Sequence, residues 1–198
     1  LAMHNKFNQD AVATLDGLPP LVMIISAGSM PPDVHMYAAR ALAELVKHNT
    51  HNQTVVAELG AISLLVSLIR SANAPAVEAE VAGAIQALAE GHPANQGSIA
   101  SAGAVVVLVG LLGSRSDHAA NLAGNALSAI GLDNTASQKE IAKLLVGLLT
   151  TAKRESTQER AAAALWRLVR QNPFGQQSIA SAGGAQPLVK LLRVGPMG

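Results

Sequence analysis

A chain of 198 residues that is 49% hydrophobic but only 2% aromatic has to build its core from Ala, Leu, Val and Ile, a composition suited to closely stacked helices. A net charge of +1 argues against bulk nucleic-acid binding, and the lack of cysteine excludes disulfides and thiolate zinc sites, which favours a reducing, cytoplasmic or nuclear compartment. Each Leu/Val run stops at about ten residues, short of the roughly 18 that span a bilayer, so no direct membrane insertion is expected.

The sequence opens on Leu1, and no basic segment leads into an apolar core; it reads as a piece of a longer protein, with no signal peptide in view. Residues 8 to 14 predict a short helix and residues 18 to 25 a second, with Pro19 and Pro20 tolerated in a first turn whose amides lack intrahelical partners anyway. The loop Ser29-Met30-Pro31-Pro32-Asp33 leads to a longer helix over 34 to 47, with apolar or small residues at 38, 41, 42, 45 and 46 on one face. The succession then returns. A short helix starts near Asn52, an almost wholly apolar one over 61 to 69 must be sandwiched, and a long one spans 76 to 89. It returns again over 95 to 102, 104 to 112 and 117 to 130, with Asp117 placed as an N-cap. A long helix over 156 to 170, a further short phrase and a helix over 186 to 193 follow, with Pro196 and Gly198 at the end.

One phrase organises this succession. Ser98-Ile99-Ala100-Ser101-Ala102-Gly103 recurs 80 residues later as Ser178-Ile179-Ala180-Ser181-Ala182-Gly183, with weaker copies beginning at Asn52 and Asn8. The period of about 43 falls within the range of helical solenoids. Two independent ladders agree. Core valines of the second helices fall at Val22, Val66, Val109, Val146 and Val189, in steps of 44, 43, 37 and 43. Third helices align on Leu42, Ile85, Leu127 and Leu165, with Leu45, Leu88, Ile130 and Leu168 three residues on. The short step predicts an irregular unit in which Ser137 and Glu140 form a capping box that starts the second helix directly, with a local change of superhelical twist. The expected organisation is a single array: a partial unit over 1–28, units over 29–71 and 72–114, a shortened one over 115–152, and one ending mid-unit over 153–198.

The pattern of a short helix of the type N-Q-x-x-I-A-x-A-G, then G-A-x-x-x-L-V-x-L-L, then a longer Ala/Leu helix resembles the armadillo repeat across essentially the whole chain. Gly60, Gly103 and Gly183 stand where that family turns sharply between its first two helices. The resemblance implies an all-α, right-handed α-solenoid whose third helices line a concave groove for an extended peptide. In the family's nuclear-import receptors the groove carries a Trp and, four residues on, an Asn. The matching pairs here are Ala43 with Lys47, Gln86 with Glu90, Ser128 with Leu132, and Trp166 with Arg170, so only one Trp and no Asn is kept.

That departure favours a non-catalytic interaction scaffold or adaptor. A docking or regulatory module of a larger enzyme such as a ubiquitin ligase, or a nuclear transport adaptor, stands as the alternative. Helical spacing extends the groove stripe through Arg40 and Lys47, Gln86 and Glu90, Asn121, Asn125 and Ser128, to Trp166 and Arg170. Residues 153–198 carry seven bases against two acids, and residues 44–90 five acids against two bases. The expected partner is therefore an extended protein segment with acidic residues lying toward the C-terminal repeats. Leu21, Val22, Leu188 and Leu191 are expected to be partly exposed at the ends, which suits end-to-end self-association.

No nucleophile elbow, phosphate loop or dinucleotide fingerprint occurs, and neither an enzyme activity nor a cofactor is expected. His48 and His51 have the spacing of a metal pair, but no local carboxylate completes a site; they and His92 read as solvated loop residues, and His4, His35 and His118 as unpartnered. Asn52-Gln53-Thr54 is formally a glycosylation sequon, but its Asn-Gln belongs to the repeat frame. Gly83 and Gly124 inside third helices imply close helix packing. Trp166 sits beside the core stripe of Leu165 and Leu168 and so points to the groove.

Overall fold

The computed structural model describes residues 5–170 and 172–194; the expectations for His4, Pro196, Gly198 and the Arg193 side chain lie outside what is described. The described residues form thirteen α-helices in an armadillo-type solenoid. The first unit is α1 (Lys6–Thr14), α2 (Leu18–Ser26) and α3 (Pro32–Val46). The second is α4 (Thr50–Glu58), α5 (Ala61–Ser71) and α6 (Pro75–Ala89), and the third α7 (Pro93–Ser101), α8 (Ala104–Leu111) and α9 (Asp117–Gly131). The fourth has only α10 (Thr135–Thr151) and α11 (Glu155–Arg170), and α12 (Pro173–Ser181) and α13 (Ala185–Val194) follow.

Each short first helix begins on a side-chain cap. Asn5, Asn49, His92, Asn134 and Asn172 accept from a backbone amide two or three residues on, which satisfies a donor that the helix itself cannot. His92 is therefore a structural cap. Its Nδ1 accepts from the Asn95 amide and its Nε2 lies 3.0 Å from the Thr54 hydroxyl, so the loop-residue expectation fails for it. Asp117 is the first residue of α9, and the cap is Ser116.

The turn after each short helix requires a left-handed residue. Gly60, Gly103 and Gly183 have φ of 79°, 79° and 76°, where a side chain costs roughly 1–2 kcal/mol. With that corner, α4 and α5 are bent by 74° and α7 and α8 by 80°. In the first unit the same corner is made by Asp16 at φ 56°. The fourth unit has no corner. Its first and second helices are one 17-residue helix capped by Asn134, with Ser137 buried in the first turn and Glu140 exposed. The expected Ser137–Glu140 capping box is thus corrected: the missing residues removed the turn and left the first helix in place.

The core is the ladder of second and third helices. Leu42, Ile85, Leu127 and Leu165 are each at most 1% exposed, and their partners three residues on at most 5%. Val22, Val66, Val109 and Val146 are also buried, whereas Val189 is 47% exposed. Val22 was expected to be partly exposed but is buried, in a helix that packs on α3 and α5; Met23 is the large apolar residue of α2 that is exposed. Leu21, Leu188 and Leu191 are half-buried, as expected. His35 is buried too, with Nε2 2.9 Å from the Ala27 carbonyl, which ties α3 to the loop before it.

A second, polar ladder stitches the units. The Gln53 amide donates to the carbonyls of Ala87 and Glu90 at 2.7 and 2.9 Å, closing the C-terminus of α6, and Gln9 does the same for α3. Asn52 reaches Leu45 and Gln9, and Asn95 reaches Leu88 and Gln53, so each pair binds the preceding unit as well. Asn52 is wholly buried by this bonding, which removes it as a glycan acceptor. At the N-terminal end, Asn49 also donates to Asp10, whose carboxyl is held below the usual carboxylate value first by Lys6 and then by Asn49.

Candidate functional site

The long helices α3, α6, α9 and α11 pack side by side in that order, and two adjoining hollows open on their exposed faces. The sequence-expected residues fall into them. Arg40 of α3 with Lys47 just past its end, and Gln86 of α6 with Glu90 just past its end, line the first, of about 280 Å³. Gln86 and Glu90 also line the second, of about 400 Å³, with Asn125 and Ser128 of α9 and Trp166 and Arg170 of α11. Asn121 is exposed on α9 but lines neither hollow.

Charge divides the two hollows. In the first, Glu44, Glu80 and Glu90 stand among Arg40 and Lys47, and Glu44 Oε2 is buried with no hydrogen-bond partner among the described residues. Glu90, shared by both, accepts from the Gln86 amide on Oε1 and has His48 Nδ1 at 3.9 Å from Oε2. His118 lies 3.9 Å from Glu80 in the same way, so neither His48 nor His118 is without a partner. Among the described residues no three metal-binding side chains come together.

In the second hollow Trp166 is 55% exposed, and the Arg170 guanidinium lies 5.0 Å from the centre of its ring. A cation over an aromatic face gains roughly 0.5–1 kcal/mol at an exposed site, a modest bias toward this pairing. Leu165 and Leu168 take the core positions on either side, so Trp166 fills no gap in the interior. The basic segment is otherwise partly structural. Arg160 reaches across to the carbonyls of Leu112 and Ser114 and to Asp117, bracing α11 against the end of α8 and the start of α9.

Sequence reasoning missed Arg167, Glu80, Glu44 and His118, all of which line a hollow. Its stripe followed one column of side chains along each helix, whereas a hollow between two helices is lined by the facing columns of both. The signal was present: Arg167 stands three residues before Arg170, on an adjoining part of the same face.

No family model and no curated protein matches the chain. Solved structures do. An engineered protein is 29% identical over 90% of this chain and 73% of its own, with a TM-score of 0.70. A designed armadillo repeat protein in complex with the peptide (KR)4 is 27% identical over 91% of this chain and 76% of its own, with a TM-score of 0.67. Computationally designed armadillo repeat proteins for modular peptide recognition match at 27% identity, 91% and 76% coverage, and a TM-score of 0.66.

Proposed function

Because the chain is an armadillo-like repeat solenoid, we propose that it is a non-catalytic scaffold that holds an extended peptide segment along α3, α6, α9 and α11. The observation that carries this is Trp166, the single Trp of the chain, more than half exposed in a hollow with amides and guanidinium groups around it. An exposed, oriented aromatic beside an arginine is the usual composition of a binding hot spot. The similar designed protein that holds a (KR)4 peptide supports the peptide class. Its basic peptide does not carry over, because the cations here lie at the α11 end. The partner proposed is one with acidic residues toward α11.

The test is peptide affinity. Trp166→Ala should weaken binding of an acidic extended peptide by about 2 kcal/mol or more, and Arg170→Glu should weaken it most at low salt, since the Debye length shrinks as salt is added. Fluorescence polarisation at two ionic strengths reads both. If both folded variants bind as the parent does, the groove assignment is wrong.

The same proposal includes weak end-to-end association, supported by Met23 and Val189 at 69% and 47% exposure. Each such apolar side chain gains roughly 1.5–3 kcal/mol when fully covered. Sedimentation should show a mass that rises with concentration, and a strict monomer at high concentration rejects it.

A further inference from the structure

Building on the peptide-binding reading, we infer that the second hollow recognises phosphorylation: it seats a phosphomonoester side chain of the extended peptide between Arg167 and Arg170. Arg167 and Arg170 both line this hollow from α11, three residues apart and so neighbours on one face. Neither has a carboxylate partner among the described residues, whose ion pairs are Lys6–Asp10, His48–Glu90, His118–Glu80 and Arg160–Asp117. Like charges three residues apart on a helix disfavour each other, and an anion held by both would offset that.

Each has a contact that bears on where it lies. The Arg170 guanidinium is 5.0 Å from the centre of the Trp166 ring. Arg167 lies across α9 at Gly124, where an added Cβ would stand 2.8 Å from its Nη1, so the lack of a side chain there leaves the space the guanidinium occupies. Gly124 thus makes room for Arg167.

The number of donors decides between anions. A carboxylate has two oxygens and is satisfied by one guanidinium fork, which would leave the second arginine unpaired. A phosphomonoester offers three oxygens and a charge between −1.5 and −2 at neutral pH, which two forks can share. Asn125 and Ser128, on the facing helix, add an amide and a hydroxyl that have no partner among the described residues. Glu90, the one carboxylate among the lining residues described, stands just past the end of α6 and is engaged by Gln86 and His48.

The probes are three capped pentapeptides, alanine throughout except for a central serine, glutamate or phosphoserine, titrated at constant ionic strength. Trp166 fluorescence reports on the hollow itself because the chain has no other Trp, and phosphorus NMR reports on the phosphate. The phosphoserine peptide should bind at least about tenfold more tightly than the glutamate peptide, with the serine peptide weakest. Its bound phosphate should titrate below the free value of about 6, since two guanidiniums favour the dianion.

Arg167→Gln should remove the tenfold preference while the glutamate peptide still binds through Arg170, and Arg167→Lys should restore part of it. Equal affinity for glutamate and phosphoserine overturns the phosphate inference and leaves the groove reading standing. Inorganic phosphate binding as tightly as the phosphopeptide means an adventitious ion only and also overturns it. No response to any peptide, in fluorescence or phosphorus NMR, sinks both readings. The unaltered protein's phosphate titration keeps the test decisive should the Arg167 variants fail to fold.

Discussion

The second and third units and the fourth close the same layer by different means. In the regular units a left-handed glycine bends the first helix into the second by 74° and 80°, and the Asn-Gln pair of the short helix bonds carbonyls at the ends of the long ones. In the fourth the corner is gone, yet the polar role persists: Gln138 donates to Gly131 and Leu132 as Gln96 does to Ala89. The difference separates two functions that the regular units combine. The glycine sets direction, and the amide satisfies helix ends, so one can be deleted without the other.

The largest expected contrast is between the two glutamines. Gln53 alone among described side chains reaches the carbonyls of Ala87 and Glu90, so Gln53→Ala should cost about 2–4 kcal/mol, since each buried unpaired group costs roughly 1–3. Gln138→Ala should cost only about 1 kcal/mol, because the Asn172 amide also donates to Gly131 and Leu132. Urea denaturation followed by circular dichroism ranks the two, and equal losses would show that Asn172 gives no cover.

Next is the corner itself. Gly60→Ala meets no atom within 4 Å, so its loss is purely that of the left-handed backbone, about 1–2 kcal/mol. Asp16→Gly, at the same corner of the first unit, should raise stability by about 0.5–1 kcal/mol for the same reason. Opposite shifts in thermal midpoint are the expected result, and a loss in both would mean that the Asp16 side chain matters more than its φ.

The smallest contrast lies between two helical glycines. An added methyl at Gly83 would make ordinary contact with Leu122 at 3.7 Å, so Gly83→Ala should gain about 0.5–1 kcal/mol from helix propensity. At Gly124 the methyl meets Arg167 at 2.8 Å, so the gain should be cancelled unless that side chain moves. The two glycines thus differ in what faces them, the movable end of Arg167 at Gly124 and Leu122 at Gly83, although the sequence gives both the same helical setting. Thermal midpoints of the two alanine variants test the contrast.

Much of the architecture was readable because it repeats. Leu42, Ile85, Leu127 and Leu165 could be aligned without any structure, and all proved buried. Gly103 and Gly183 sat in copies of one phrase, so a shared turn was the economical reading. The fused helix was only half legible: a step of 37 shows that residues are missing and cannot show that Asn134 takes over the cap. Histidines were the hardest. His92 holds the cap position that Asn49 holds 43 residues earlier, but a histidine there does not look like a cap, and His35 owes its role to the distant Ala27 carbonyl. The lining of the hollows was legible along each helix and illegible between helices, which is why the stripe takes in Trp166 and leaves out Arg167.

The side-by-side order of α3, α6, α9 and α11 also acts as a ruler. Packed helices stand roughly 8–10 Å apart, and an extended strand advances about 3.3 Å per residue. A segment laid across these helices would therefore meet a new one every two to three residues. The two hollows share Gln86 and Glu90, so they are about one helix apart. A partner that places one side chain in each needs those two within a few positions of each other, and inserting a single residue between them shifts one out of step.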